Sequence, residues 1–195
     1  MKNIAFALDP DGYWIELVDN GLKRDGPTDL STYRFNHTMV CSHSPHTLSQ
    51  IRICDAQANL DFFQNVLGMK LVRTGPSPEA KFTNYFLAYA REEGEGEEPT
   101  ADREGVVELC HNWEGNPSDG YANGNSEPYR GFGHLCICVD DLDAACRYFE
   151  EKRVKWQKRP TDGRMKEIAF ILTPDASSYW IEIVQNTTMK KVQNL

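Results

Sequence analysis

The sequence predicts an α+β protein that contains two β-α-β-β-β modules, and three repeats along the chain lead to this prediction. The first repeat is the motif Val/Ile-Glu-Leu/Ile-x-x-Asn, which occurs at residues 15–20, 107–112 and 181–186. Each copy lies in a run of β-branched and aromatic residues, which is typical of a strand. Repetition of this kind indicates several copies of one supersecondary unit.

The second repeat marks the first strand and the helix of each module. Residues 55–65 match residues 141–151 at an offset of 86, and both stretches have the apolar spacing of a helix. His37 and His134, which precede these helices, match at an offset of 97. The 11 additional residues of the first module are Val40–Gln50, a stretch rich in Ser, His and Pro. Two interpretations stay open: a loop inserted into a strand, or sequence absent from the mature message, such as a retained intron.

The third repeat shows that the first 20 residues resemble the end of the second module. Residues 2–6 match residues 166–170, and the Tyr-Trp-Ile-Glu runs that contain Glu16 and Glu182 match as well. The intervening turns differ in length, because Ala176–Ser178 replace a single Gly. The predicted organisation is a remnant tail of a preceding module at 1–20, a linker at 21–34, a first module at 35–113, an irregular connection at 114–129 and a second module at 130–188.

The elements of the first module follow from its residues in chain order. Short runs of β-branched and aromatic residues predict strands, and apolar spacing predicts the helix. The connection after the module is rich in Gly, Asn and Pro, so it is predicted to be irregular. The predicted elements are a strand at His37, a helix at 56–67 and strands at Lys70–Arg73, Asn84–Ala90 and Gly105–His111, and the second module repeats this order.

Composition limits the class of function. The chain has 195 residues, enough for one or two domains, and a formal net charge of −8, which argues against nucleic acid and anionic membranes as partners. No apolar run approaches the ~20 residues that span a bilayer, and the first residues lack the features of a secretory signal. We therefore predict a cytoplasmic protein. Its six cysteines have irregular spacing, which predicts reduced thiols. Four of them are predicted at core positions: Cys110, Cys136, Cys138 and Cys146.

Each module supplies a His at the start of its first strand and a Glu in its last strand. The pairs are His37 with Glu108 and His134 with Glu182. A carboxylate among apolar neighbours needs a partner, because an unpaired buried charge costs several kcal/mol. Two imidazoles and two carboxylates leave one or two open positions on an octahedral divalent ion. Because the pair recurs at matching places, the sequence predicts a metal site rather than two core histidines.

These motifs resemble glyoxalase I, the lactoylglutathione lyase family of the vicinal-oxygen-chelate superfamily, and the resemblance covers most of the chain. It lies in the stretches 35–39, 60–69, 107–113, 130–134, 162–166 and 179–182. The resemblance implies paired modules that form cup-shaped mixed sheets. It also implies the carboxy-terminal half of a fungal-type tandem enzyme, because residues 1–20 look like the end of a further module.

The resemblance implies isomerisation of the hemithioacetal of methylglyoxal and glutathione to S-lactoylglutathione, with glutathione as co-substrate. The implied metal ligands are His37, Glu108, His134 and Glu182, and the implied metal is zinc, with nickel as the alternative. Glu182 is the implied catalytic base, and Glu108, or Glu16 in another pairing, serves the opposite face of the substrate. Implied glutathione contacts are Arg52, Asn112, Arg130, Lys158 and Met165.

In the resembled family a site takes its two His–Glu pairs from modules across an interface, which implies a homodimer or a pseudo-dimer of modules. Three alternatives stay open: a truncated or misannotated gene product with the fold but little activity, a non-catalytic binding module, and an extradiol dioxygenase with two His and one Glu on iron. Two features speak against activity. Val40–Gln50 fall between His37 and Arg52, and Ala176–Ser178 lengthen the approach to Glu182.

Overall fold

The structure, a computed structural model, describes residues 4–8, 10, 14–18, 37–38, 51–90 and 105–187; at 4, 6, 14, 16, 18 and 37–38 it describes the backbone only. The helix that begins at Ala56 continues as a π-helical turn at Phe62–Val66. The elements are β1 Ile4–Leu8, β2 Trp14–Val18, β3 His37–Thr38, β4 Ile51–Ile53, α1 Ala56–Asp61, β5 Lys70–Ser77, β6 Phe82–Ala88, β7 Val106–Asn112, β8 Leu135–Val139, α2 Leu142–Glu151, β9 Trp156–Lys158, β10 Ile168–Leu172 and β11 Trp180–Gln185.

The strands form two larger sheets and one hairpin. The first sheet has the order β3-β7-β6-β5, with β4 also paired to β7, and the second has the order β8-β11-β10-β9. In both sheets the first strand of the unit is parallel to the last one, and the remaining neighbours are antiparallel. The predicted α+β class with mixed sheets is therefore confirmed. The module boundaries at 35–113 and 130–188 stay a prediction.

Both helices begin at an aspartate that the repeat aligns. Asp55 Oδ1 accepts a hydrogen bond from the Ala58 N–H at 2.9 Å, and Asp141 Oδ1 accepts one from the Ala144 N–H at 2.8 Å. These bonds satisfy N–H groups that the first helical turn leaves without partners. The apolar faces of the two helices then meet in one core, which both larger sheets share. The structure thus packs the two units of the repeat against each other.

Strand β5 is longer than the sequence predicts, because its Gly and Pro do not end it. Pro76 lies opposite Thr83 and Gly75 opposite Asn84 within the ladder. Pro is compatible with this place because β5 is at the edge of its sheet, where a missing N–H disrupts no further strand. Strand β6 accordingly begins at Phe82, two residues before the predicted start. Residues 114–129, predicted as an irregular connection, contain neither a helix nor a strand.

The motif glutamates have the same cross-strand neighbour in every copy. In each hairpin the Glu lies opposite a Phe of the preceding strand. The three pairs are Phe6 with Glu16, Phe86 with Glu108 and Phe170 with Glu182. The sequence repeat is therefore a structural repeat at the level of strand register.

Hairpin β1–β2 has the register of β10–β11 but a different environment. Ile15 and Leu17 are 47% and 50% exposed, whereas the equivalent Ile181 and Ile183 are fully buried. Ile181 and Ile183 belong to the core that helix α2 also contributes to, and strand β8 pairs alongside their strand. The same sequence pattern thus forms a buried hairpin in one place and an exposed one in the other.

The first strand of the first sheet is divided into β3 and β4, which both pair in parallel with β7. Thr38 lies opposite Val107, and Ile51 lies opposite Leu109. One β7 residue, Glu108, separates these two partners, so the strand needs a single residue between Thr38 and Ile51. The chain has 12 there, and all of them lie outside the described residues. The register leaves 11 residues as surplus, the number that the repeat predicts.

We expect a variant that lacks Val40–Gln50 to fold and to be more stable than the full chain. Met39 then joins Ile51 directly and lies opposite Glu108, so the register with β7 is unchanged. Shortening the closed loop removes an entropic cost of up to about 2 kcal/mol. Urea unfolding of both proteins measures the difference.

A deletion that includes Met39 is the control for this experiment. It is one residue too short, so it shifts the strand by one position and turns its side chains to the opposite face of the sheet. We expect this second deletion to lower the free energy of unfolding. Equal stability of the two deletion variants would contradict the register.

The lengthened turn before β11 is buried and connects the two units. The Cys54 N–H donates to Asp175 Oδ2 at 2.8 Å, and the Tyr121 N–H donates to Ser177 Oγ at 3.1 Å. Asn123 Nδ2 also donates to the Ser177 carbonyl at 3.1 Å. Both Asp175 and Ser177 are buried. Asp175 therefore holds the end of β4, and the additional residue Ser177 holds the connection, against the second sheet.

Candidate metal and active site

His134 and Glu182 lie side by side in the second sheet. His134 directly precedes β8, whose Cys136 is opposite Glu182 in β11. Parallel pairing thus brings the imidazole Nε2 within 3.2 Å of the Glu182 Oε2 atom. The two side chains are 39% and 20% exposed, and the imidazole packs nearly perpendicular to the Phe170 ring, with 5.2 Å between the ring centroids. This is a pair of nitrogen and oxygen donors that solvent and small molecules can reach.

The first sheet repeats this register around Glu108. Thr38 is opposite Val107, just as Leu135 is opposite Ile181 in the second sheet. His37 therefore has the same backbone position relative to Glu108 as His134 has relative to Glu182. The side chain of His37 lies outside the described atoms. The structure therefore shows that the backbones around the two His–Glu pairs are arranged in the same way.

Glu108 is more deeply buried than Glu182. It is 3% exposed, and its Oε1 atom accepts a hydrogen bond from Asn84 Nδ2 at 2.5 Å. The Oδ1 atom of Asn84 is buried and has no hydrogen-bond partner. Sequence reasoning missed Asn84, because its position in a strand gives no signal of a contact to a residue 24 positions later.

The donor set fits a divalent metal, but it is divided between the sheets. Among the side chains that the structure describes, no three His, Cys, Asp or Glu groups lie close enough to hold one ion. The described donors are the pair His134 and Glu182 in one sheet and Glu108 in the other. Imidazole nitrogen and carboxylate oxygen suit zinc or nickel. The described members of the predicted ligand set are therefore divided between the two sheets.

A cleft of about 500 Å³ lies between the two sheets, and His134 is the one described donor of this set that lines it. His134 and Cys136 line it on the side of β8, and Val106, which is opposite His37, lines it at the start of β7. Tyr89 contributes a half-exposed aromatic ring. The wall is mainly apolar with a few polar groups, which is typical of a small-molecule site.

Each motif Glu belongs to a row of side chains that crosses its sheet. Residues directly opposite each other project to the same face of a sheet. In both sheets the row continues from the carboxylate to a Phe and then to a cation. The rows are Glu108, Phe86 and Arg73 in the first sheet, and Glu182, Phe170 and Lys158 in the second. The Arg73 guanidinium lies 5.6 Å from the centroid of the Phe86 ring. Sequence reasoning missed Arg73, since its strand has a register shift that hides the alignment.

Two residues predicted to contact glutathione belong to the first sheet. Arg52 is half-buried in β4 opposite Cys110, and Asn112 ends β7 and donates to the Tyr121 hydroxyl at 3.1 Å. A third, Arg130, is exposed and pairs with Glu127 at 2.7 Å. An exposed pair of this kind contributes little and exchanges readily with another anion.

The other two predicted contacts, Lys158 and Met165, lie together at the opposite edge of the second sheet. The Lys158 ammonium donates to the carbonyls of Arg159, Met165 and Ile168 at 3.2, 2.6 and 3.0 Å. Three acceptors use all three donors of an ammonium group. Lys158 therefore organises the loop between β9 and β10, and the Met165 side chain projects from that loop into solvent.

The predicted core positions of the cysteines are correct for Cys110 and wrong for Cys136 and Cys138. Cys110 is buried, and burial raises the pKa of its thiol to about 11. Cys136 and Cys138 are exposed, because alternate residues of β8 face away from the core. Partial burial of the sulfur and the Glu182 carboxylate raise the pKa of the Cys136 thiol to about 12, so it is a neutral thiol at pH 7. The five described cysteines are free, as predicted.

The fold and the site define the class of protein. Residues 34–183 match the model of the Glyoxalase/Bleomycin resistance protein/Dioxygenase superfamily, and the chain belongs to this superfamily. Lactoylglutathione lyase of Schizosaccharomyces pombe is 45% identical over 187 residues, which are 95% of this chain and 55% of that protein. Lactoylglutathione lyase of Pseudomonas aeruginosa is 44% identical over 86% of this chain and 91% of that protein.

A solved structure shows the same architecture. The crystal structure of glyoxalase I from Zea mays matches with a TM-score of 0.62 and 25% identity, over 97% of this chain and 56% of that chain. The chain thus spans about half the length of the S. pombe and maize proteins and nine-tenths of the Pseudomonas protein. Within the described residues, no helix is long and apolar enough to cross a membrane.

Proposed function

We propose that this chain catalyses metal-dependent isomerisation of the methylglyoxal–glutathione hemithioacetal to S-lactoylglutathione, which removes methylglyoxal. The observation that carries the proposal is the His134–Glu182 pair at 3.2 Å, together with the same backbone register around His37 and Glu108. The S. pombe and Pseudomonas relatives are both named lactoylglutathione lyase, which supports the proposal. The Pseudomonas lactoylglutathione lyase supports it further, because this chain covers 91% of its length.

The residues proposed to hold the metal are His37, Glu108, His134 and Glu182. A bound divalent ion supplies Lewis-acid stabilisation of the negative charge that develops on the substrate oxygens. His134 lines a mainly apolar cleft, and the low polarity of such a wall strengthens electrostatic interactions beside it. We propose zinc as the metal and nickel as the alternative, since imidazole and carboxylate donors suit both.

Proton transfer is assigned to Glu182. Its carboxylate takes the proton from C1 of the hemithioacetal and returns it to C2, so the reaction needs no further reactant. Partial exposure of this side chain makes it accessible to substrate. The buried Glu108 is proposed to lie on the opposite face of the substrate. The alternative for this position is Glu16, whose side chain lies outside the described atoms.

Glutathione is proposed to bind through Arg52, Asn112, Arg130, Lys158 and Met165. Arginine suits the carboxylates of the tripeptide because its guanidinium forms two parallel hydrogen bonds. To bind glutathione, Arg130 must break its ion pair with Glu127 and pair with the substrate instead. Lys158 must either give up a hydrogen bond to one of its carbonyl partners or act indirectly, by holding its loop in shape. We further propose that two chains assemble as a homodimer, or that modules pair as a pseudo-dimer, in the cytoplasm.

The test is an assay of the purified chain after removal of metal with a chelator and reloading with zinc or nickel. Formation of the thioester, followed by its ultraviolet absorbance, is expected with methylglyoxal and glutathione together. Omission of glutathione is the control and is expected to abolish the signal. A folded, metal-loaded chain that forms no thioester would instead support an inactive or binding role for a chain of half the length of its S. pombe relative.

A further inference from the structure

The two motif glutamates occupy equivalent positions, and their described contacts include an amide donor at Glu108 and an imidazole at Glu182. Glu108 is buried and accepts from the Asn84 amide, whereas Glu182 is more exposed and contacts the His134 imidazole. A carboxylate that is held by a neutral amide donor is restricted to one orientation without losing its charge. The environment of Glu108 therefore favours a fixed group, and that of Glu182 permits movement.

Comparison of the two sheets shows that packing does not require an amide at position 84. Asn84 lies two residues before Phe86, the residue opposite Glu108. The equivalent place in the second sheet, two residues before Phe170, is Ile168. An apolar side chain thus fills this position in one copy of the fold. The amide in the other copy needs a different explanation.

The hydrogen bonding of Asn84 indicates what that explanation is. Because an ionised carboxylate only accepts hydrogen bonds, the nitrogen of the amide must face Glu108. The amide oxygen is then left buried without a partner. A buried acceptor without a donor is unfavourable, so Asn84 does not stabilise the core better than an apolar residue. The bond to Glu108 is what it contributes.

We propose that Asn84 is a positioning residue that fixes Glu108 as a stationary metal ligand and so leaves proton transfer to Glu182. The inference rests on the proposed metal site and assigns different roles to two carboxylates that the repeat makes equivalent. Groups that hydrogen-bond a ligating carboxylate orient it and tune the affinity of the site for its ion. Asn84 acts through Glu108 and does not contact substrate.

The test compares Asn84→Leu with the wild-type chain. Leucine has a similar volume and no donor, so it resembles the isoleucine of the second sheet. We expect zinc affinity, measured by competition with a chromophoric chelator, to fall by about 10- to 100-fold. The metal-free variant is expected to unfold at a urea concentration close to that of the wild type, because the loss of a donor to the buried Glu108 opposes the removal of the unpartnered acceptor. A purely structural residue would not combine nearly unchanged stability with weaker metal binding.

Two further variants complete the experiment. Asn84→Asp keeps the shape but presents an acceptor to the carboxylate, so it is expected to weaken zinc binding at least as much as Asn84→Leu. Ile168→Val alters the equivalent position of the second sheet and removes only one methyl group. We expect it to leave zinc affinity unchanged within about twofold, because it removes no hydrogen bond to a carboxylate.

Unchanged zinc affinity in a folded Asn84→Leu chain would overturn the inference, and so would a wild-type chain that binds neither zinc nor nickel. If the wild-type chain binds zinc but forms no thioester, the proposed function fails while the affinity measurement still decides the role of Asn84.

Discussion

Replacement of Glu182 by Gln is expected to lower kcat by about 10²- to 10⁴-fold, the contribution of a positioned general base. Glutamine keeps the shape of the side chain and an oxygen that can face the ion, but it cannot take a proton from carbon. The rate at saturating metal and substrate measures the loss of proton transfer. Metal content of the same preparation separates this loss from loss of the ion.

Two comparisons make this expectation specific to the proposed roles. Glu167→Gln removes an exposed carboxylate just before β10 and is expected to leave kcat unchanged. Glu108→Gln is expected to act mainly on metal affinity, because Asn84 holds that carboxylate in place. A Glu182→Gln chain with more than a tenth of the wild-type rate at full metal occupancy would remove Glu182 from the role of base.

The repeats in the sequence predict the register of the sheets well. The alignment of His37 with His134 and of the three motif glutamates becomes identical cross-strand pairing in the structure. The surplus of 11 residues between Thr38 and Ile51 was also predictable, because a strand and its repeat must supply the same number of residues to a shared ladder. These features follow from the spacing of matching residues along the chain and do not require contacts between distant residues.

Features that depend on contacts between distant residues were not predictable in this way. The bond from Asn84 to Glu108 joins two neighbouring strands at residues that are 24 positions apart in the chain. The exposure of Cys136 and Cys138 depends on which face of β8 packs against the core. The three carbonyl contacts of Lys158 arise from the path of the loop between β9 and β10. In each case the residue type is apparent from the sequence and its partner is not.

Mixing two inactive variants is expected to restore activity if complete sites form between chains. In a homodimer, His37 and Glu108 of one protomer would face His134 and Glu182 of its partner. The structure is compatible with this arrangement, because no three potential ligands meet among the described side chains of one chain. Glu108→Ala and Glu182→Ala chains each lack one half-site, so each homodimer has no complete site.

A mixed dimer of these two chains has one site with both substitutions and one site with neither. Random reassociation places about half of the chains in mixed dimers with one intact site each, so activity is expected to reach about one quarter of the wild-type value. Size-exclusion chromatography of the mixture verifies that dimers have formed again. The assay is the thioester absorbance used for the wild-type chain.

The control is a mixture of Glu108→Ala with His37→Ala. Both substitutions fall in the same half-site, so every pairing of these chains leaves each site with a damaged half and activity stays at the level of the separate variants. Recovery in the first mixture and none in the control would establish that the two half-sites come from different chains. If dimers are present and neither mixture recovers activity, a site is completed within one chain. His37 and Glu108 would then meet His134 and Glu182 through pairing of the two modules inside the same polypeptide.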